Sequence, residues 1–349
     1  MMRMTPILAL AASAVTTFAL VVPGNLTAEA VPTAEVAAVS AANKAANTSV
    51  RFATFNIRTA RADRGTSRHW TRRALSVARE IKSRNPGIVA IQELSPGRAD
   101  GKPVPVRNGL RQTTSLEKAL KSIGAGKYQL TRVTSYVKPG ARHGTQGTRI
   151  LYDTSKYRLV SKCREKTGKS NWNRSCALVT PVKGGSPTSA AYAEFEDRRT
   201  GRNFFVISAH LDSSHSGSRG KEKVYDAQRA RQVRTIYSKV NKLAHGKPII
   251  FGGDINSWRT KIGSHAPYNY LYSRGFRDST RAPRKIDARY PTINHWKKTL
   301  KPNRPGRQVA LDVIMLNRGK TFRTYENVMK VVDSSRPSDH NMVVSDLVL

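Results

Sequence analysis

Residues Ile249 to Trp258 read IIFGGDINSW, and how Asp254 and Asn256 are read there decides the reading of the whole chain. The apolar opening predicts a buried strand, and Gly252 and Gly253 predict a sharp turn where that strand ends. Strand ends that open into loops are where α/β proteins keep their chemistry. An Asp-x-Asn pair there can hold a hard cation and a phosphate oxygen at once, because carboxylates suit Mg²⁺, Mn²⁺ and Ca²⁺. The same pair also suits a plain Asp/Asn turn capping the strand. Only the company it keeps separates the two.

Other apolar runs close in the same way. Asn56 ends ATFNI, Glu93 ends IVAIQEL and His210 lies near the end of FFVISAHL. Asp312 interrupts VALDVIML, and Asp339-His340 stand in PSDHNMVV. Asp312 is the pointed case, since a carboxylate inside an apolar strand needs a partner to offset its desolvation. His340 is titratable, and a carboxylate such as Asp312 can orient it if the fold brings the two together.

Between these strands the spacing predicts helices. Trp70 to Arg84 carries Ala74, Val77, Ala78 and Ile81 on one face and is stopped by Asn85-Pro86-Gly87. Ser115 to Ile123 is shorter, and Val224 to Leu243 is marked by Val233, Ile236, Val240 and Leu243. Further strands are expected at Tyr128–Thr134, Thr148–Asp153, Gln308–Leu316 and Met342–Leu349. Ala190–Glu196 and Asn203–His210 read as an antiparallel pair joined through Arg198-Arg199-Thr200-Gly201. With no repeat, heptad pattern or linker across 49–349, that region reads as one domain of sheets with covering helices.

The charge is the compositional outlier. Sixty-one Lys and Arg against 23 Asp and Glu give a net +38 over 349 residues. Such a field favours polyanions: nucleic acid, anionic membrane or lipid surfaces, or acidic wall polymers. Within residues 1–48 the charges of Arg3, Glu29, Glu35 and Lys44 cancel, so the whole excess belongs to the remainder. Residues 1–30 read as a cleaved export signal, with an apolar run from Ile7 to Val22 and an A-x-A site at Ala28-Glu29-Ala30. Residues 31–48 read as a flexible leader, and the protein is expected outside the cell. The two cysteines, Cys163 and Cys176, are expected to pair as a disulfide in that setting. The chain is expected to act as a monomer, with no obligate protein partner.

The ordered set Asn56, Gln92-Glu93, His210, Gly253-Asp254-x-Asn256, Asp312 and Ser338-Asp339-His340 resembles the endonuclease/exonuclease/phosphatase superfamily. That superfamily includes pancreatic-type deoxyribonucleases, abasic-site nucleases, inositol-polyphosphate 5-phosphatases and neutral sphingomyelinases. The resemblance implies an α/β (α+β) four-layer sandwich, two packed mixed β-sheets flanked by helices, with the site at one rim. It implies a divalent cation, Mg²⁺ or in its place Mn²⁺ or Ca²⁺, held by Glu93 with Asn56 and Asp339. Asp254 would position the attacking water or a second metal, and Asn256 would hydrogen-bond the phosphate. His340, oriented by Asp312, would be the general base; His210 would bind phosphate or protonate the leaving oxygen. Deoxyribonuclease-like members pair the first histidine with a central glutamate, whereas GTRILYD offers Arg149 and no acid before Asp153. The partner of His210 is therefore left open. The implied reaction is phosphoester hydrolysis, with nucleic acid the first substrate because the catalytic domain carries the charge. A secreted sphingomyelinase or phospholipase C type, a phosphomonoesterase and a non-enzymatic polyanion-binding module are the alternatives.

Overall fold

The central strand of the molecule, β1 (Ser49–Asn56), is buried on both faces, which is why VRFATFNI reads as a nearly continuous apolar run. In the computed structural model, described for residues 47–95, 97–102, 110–131, 147–163, 176–180, 188–258, 264–304 and 309–349, β1 lies between β15 (Val343–Val348) and β2 (Ile88–Gln92). It pairs antiparallel with the first and parallel with the second. The export signal, and the leader up to residue 46, lie outside the described residues. Thr48, the last residue read as leader, is already part of the fold: it is buried and shares a hydrogen bond with Thr200 at 2.5 Å.

The remaining strands complete two mixed sheets. The first continues outward from β2 through β4 (Arg149–Asp153) to β3 (Tyr128–Leu130), and outward from β15 through β14 (Thr324–Asn327) to β11 (Arg284–Ile286). The second runs β10 (Arg277–Asp278), β12 (Asp312–Asn317), β9 (Ile249–Asp254), β8 (Asn203–His210), β7 (Thr188–Asp197), β5 (Tyr157–Leu159). The short β6 (Ala177–Thr180) adds to β7, and β13 (Thr321–Phe322) adds to β15.

Three apolar clusters define four layers. Phe52, Ile88, Val206, Ile250 and Ile314 fill the space between the sheets. Phe55, Val89 and Leu151 pack outward against α1 (Trp70–Arg84) and α2 (Gln112–Ser122). Ile207, Phe251 and Met315 pack outward against α3 (Arg219–Ala244) and α4 (Ala266–Ser273). The four-layer sandwich expected from the sequence is thus the observed architecture. Cys163 and Cys176 form the expected disulfide, with Cα atoms 5.4 Å apart; the loop between them, 164–175, lies outside the described residues.

Three expectations are corrected. Gly252 and Gly253 make no turn; both lie inside β9, and neither adopts a left-handed conformation. Gly252 is small because the sheets meet there, and Gly253 because the adjacent strand β8 passes close to it. A Cβ on Gly252 would sit 2.6 Å from Phe52 Cε1 and 2.8 Å from Ala90 Cβ, and one on Gly253 would strike the Ala209 carbonyl. Asp312 is the first residue of β12 rather than an interior one, with its N–H and that of Leu311 donated to Thr292 Oγ1. On α3, Val233, Ile236 and Val240 are buried as expected, but Leu243 is 37 % exposed and the first turns bury Glu222, Asp226 and Arg229 instead. Those polar residues serve loops beside the strand ends, described below.

Replacing Gly252 by Ala should cost about 1–3 kcal/mol of stability through overpacking. Urea unfolding would measure it, and a second change, Phe52→Leu, should recover part of the loss. Unchanged stability in Gly252→Ala would contradict the close approach of the sheets.

Candidate active site

Strand register places Ser189, His210, Asp254 and Asp312 on one rung across β7, β8, β9 and β12. Asp254 and Asp312 stand directly opposite each other on antiparallel neighbours, and each is 1 % exposed. Two like charges so placed repel, and burial sharpens the cost. His340, from the loop before β15, relieves it. Its Nδ1 lies 2.9 Å from Asp312 Oδ2, and its Nε2 lies 3.8 Å from Asp254 Oδ2. Burial alone would lower the imidazolium, but the surrounding carboxylates, Asp312 first, then Asp254 and Asp339, lift it to about 10. Asp312 in turn is pushed up by burial against the pull of His340. With Nδ1–H donated to Asp312, Nε2 is the ring atom left to exchange a proton.

The first sheet supplies the facing groups. Asn56 Nδ2 donates to Glu93 Oε1 at 3.2 Å and to Asp254 Oδ2 at 3.0 Å, joining one carboxylate from each sheet. Glu93 Oε2 accepts from Thr59 N at 2.9 Å. His210 Nε2 lies 3.7 Å from the same Asp254 oxygen, so Asp254 is the carboxylate beside the first histidine. Arg149 stands in β4 of the other sheet. Asn256 N caps Asp254 Oδ1 at 3.0 Å, while Asn256 Nδ2 donates to Leu211 O. Glu93 (φ 60°) and Asn256 (φ 45°) are both left-handed, so the sharp turn after the opening stretch belongs to Asn256. Such backbone strain persists only where the surroundings over-determine it, and it concentrates at functional sites.

Three basic and acidic residues of the site were not legible in the sequence. Arg58, itself at φ 55°, donates to Asp63 and to Asp339 Oδ2. Asp339, read as a cation ligand, is therefore held by a guanidinium. The buried Arg73 of α1 donates to the carbonyls of Ile57, Arg58 and Pro337, and burial lowers its pKa to about 10. It thereby ties the end of β1 to the segment that presents Asp339 and His340. Ser338 Oγ adds a second tie, donating to Asn56 O at 2.7 Å. Among 61 Lys and Arg, nothing in composition distinguishes Arg58 or Arg73; a basic residue two positions past the strand-end Asn56 is the one usable signal.

A network inside α3 sets the opposite side. Arg229, fully buried, pairs with Glu222 at 2.6 Å and Asp226 at 3.1 Å and donates to Ser214 O. Asp226 accepts from Ser257 Oγ and from Ser264. One buried arginine and its two acidic partners thus fix the loop after His210 and the loop after Asp254.

A hard divalent cation fits this donor set. Carboxylates of Glu93 and Asp254 converge on one carboxamide, and Asp254, Asp312 and His340 each offer a ligand atom within 4.8 Å of one another. Oxygen donors in this proportion suit Mg²⁺, Mn²⁺ or Ca²⁺, and no thiolate is at hand because both cysteines are oxidised.

Comparison with known proteins bears on the fold and the family. Residues 53–340 match the profile of the Endonuclease/Exonuclease/phosphatase family. An endonuclease/exonuclease/phosphatase family protein from Bacteroides thetaiotaomicron superposes with a TM-score of 0.63 at 19 % identity, over 87 % of this chain and 99 % of that one. A mannosyl-6-phosphatase from B. thetaiotaomicron VPI-5482 gives 0.61 at 19 %, over 86 % and 99 %. TDP2 from D. rerio, solved with a single-strand DNA product, gives 0.54 at 16 %, over 86 % and 98 %. At such identities the likeness is one of fold. No curated protein matches the sequence significantly.

The raised His340 makes a stability prediction. Its folded value, about 10, exceeds the ordinary 6.5, so its stabilising contribution is complete below about 6.5 and is lost as pH rises toward 10. In EDTA, the stability advantage of the native protein over His340→Asn should shrink across that window. A difference that stays flat from pH 6 to pH 10.5 would refute the charged His340–Asp312 pair.

Proposed function

Since the chain belongs to the endonuclease/exonuclease/phosphatase family, whose members are generally phosphoester hydrolases, we propose that it is a secreted, divalent-cation-dependent phosphodiesterase that cleaves nucleic acid internally. The observation carrying the reaction is the His340 ring, bonded to Asp312 at one nitrogen and facing Asp254 with the other. The net charge of +38 supports the substrate, because phosphate contacts from Lys and Arg give affinity without reading sequence.

In this reading Asp254 holds a water beside His340 Nε2, and Nε2 takes its proton as the water oxygen bonds to phosphorus. The bond from phosphorus to the leaving oxygen breaks in line, and His210, across Asp254, returns a proton to that oxygen. Asn256 steadies a non-bridging oxygen, and Asp312 keeps the His340 ring in register throughout. Glu93 and Asn56, with Asp254 close by, would hold the divalent cation, whose charge would offset that of the non-bridging oxygens and lower His340 toward the range of a usable base. Arg58 occupies Asp339 and so leaves Glu93 as the principal acidic ligand on the first sheet.

Plasmid DNA, RNA and sphingomyelin, each incubated with Mg²⁺, Mn²⁺, Ca²⁺ or EDTA, separate the readings. Nucleic acid should be nicked with a divalent cation and spared in EDTA; hydrolysis of sphingomyelin alone would overturn the substrate assignment. His340→Ala should lower turnover by about 10²–10⁴-fold while retaining DNA binding. Full activity in that variant would remove the general-base role. Mass spectrometry of exported protein should show a mature chain starting after Ala30, and recovery of an intact Met1 would contradict secretion by cleavage.

A further inference from the structure

Helix α3 turns an unbalanced charge to solvent. Lys221, Lys223, Arg231, Arg234, Lys239 and Lys242 are exposed, whereas its two acidic residues, Glu222 and Asp226, are buried. Beside it, α4 and β10 interleave tyrosines with arginines. Arg234 and Arg274 lie over the Tyr270 ring at 5.4 and 5.2 Å, and Arg277 and Arg281 over Tyr272 at 5.0 and 6.0 Å. Tyr272 is 43 % exposed. It stands at the wall of a cavity of about 500 Å³ that also reaches Tyr268, Arg281, Asp278 and Asp312. Asp312 is the residue that holds His340, so this cavity and the reaction centre share a wall.

The charges of the cavity discriminate among occupants. Inside, the carboxylates of Asp278 and Asp312 are already engaged, Asp312 by His340 and Asp278 by Thr280 N, and acceptors of this kind do not attract phosphate. Arg281 in the wall and the exposed Arg277 next to Tyr272 carry the positive charge. A neutral planar group inside, with its phosphates outside, satisfies both. An exposed tyrosine stacks only with a base that is not buried in a duplex. The volume falls within the range of pockets for small ligands, which covers one nucleoside.

We propose that the basic and aromatic strip from α3 through Tyr270 and Tyr272 is a binding track for single-stranded nucleic acid. One unstacked base enters the cavity against Tyr272, and the flanking phosphates lie on Arg277, Arg281 and the α3 cations. The arginines now over the Tyr272 ring move to the phosphates as the base takes the ring face. This rests on the nuclease reading above and specifies the form of nucleic acid that reading prefers.

The test uses the full protein in EDTA, with fluorescein-labelled dT20 and a 20-base-pair duplex followed by anisotropy. Tyr272→Ala should weaken dT20 binding by about tenfold or more, Tyr272→Phe should restore it, and the duplex should lose less. Arg277→Glu with Arg281→Glu should weaken dT20 similarly and reduce the slope of log affinity against log salt by about 1.4, for two phosphate contacts. With a divalent cation, the ratio of single-strand cleavage to hydrolysis of bis(4-nitrophenyl) phosphate should fall about tenfold in both variants. Native affinity for dT20 in Tyr272→Ala overturns the track, as does equal loss for strand and duplex. Loss of binding to phosphatidylglycerol vesicles with dT20 unaffected overturns it in favour of a lipid surface. If native protein binds dT20 through Tyr272 but cleaves no nucleic acid, the nuclease reading fails and the track stands. If native protein cleaves nucleic acid and Tyr272→Ala does so equally well, the reverse holds.

Discussion

The opposition of Asp254 and Asp312 across β9 and β12 is the constraint around which the site is built. Sheet register alone brings two buried carboxylates face to face, an arrangement that costs stability unless positive charge is placed between them. His340 meets that need by bonding one aspartate and facing the other, and the same position leaves its second nitrogen directed at the reaction centre. Structural necessity and acid–base capacity thus sit in a single ring.

Holding that ring requires several separate segments to agree. Ser338 and Arg73 tie the His340 segment to the end of β1, Asn56 spans the sheets to Asp254, and Gln92 donates to Ser208 just below. The closeness of the sheets, permitted by Gly252, makes these short side chains long enough to reach. On the far side the buried Arg229 binds two acids of its own helix and fixes both loops that follow the second-sheet strand ends. A buried ion pair of this sort contributes little net stability as a unit, yet losing one partner strands a charge.

Much of this was legible in the sequence because polar residues at the ends of apolar strands stand out against their neighbours. Asn56, Glu93, His210, Asp254, Asp312 and His340 were found in that way, and the structure gathers them at one rim. Where the reading failed, one-dimensional pattern was ambiguous. A glycine pair signals a turn or a close approach equally well, and only the opposing Phe52 and Ala90 decide for the latter. Arg58, Arg73 and Arg229 are indistinguishable by type from dozens of exposed cations, since burial, not identity, gives them their roles. The long helix misled at its start for the same reason: its inward face is polar where it serves the site and apolar only beyond it.

The pairing of β1 with β15 has a temporal meaning. β1 waits at the middle of its sheet for β15, Ser49 opposite Val348, and contacts so distant in sequence form late. His340 arrives only a few residues before that closing strand. A chain interrupted anywhere upstream therefore lacks both the His340 ring and the strand pairing that completes the sheet. The acid–base ring and the closure of the sheet are thus supplied by one short stretch of chain, and neither is present without the other.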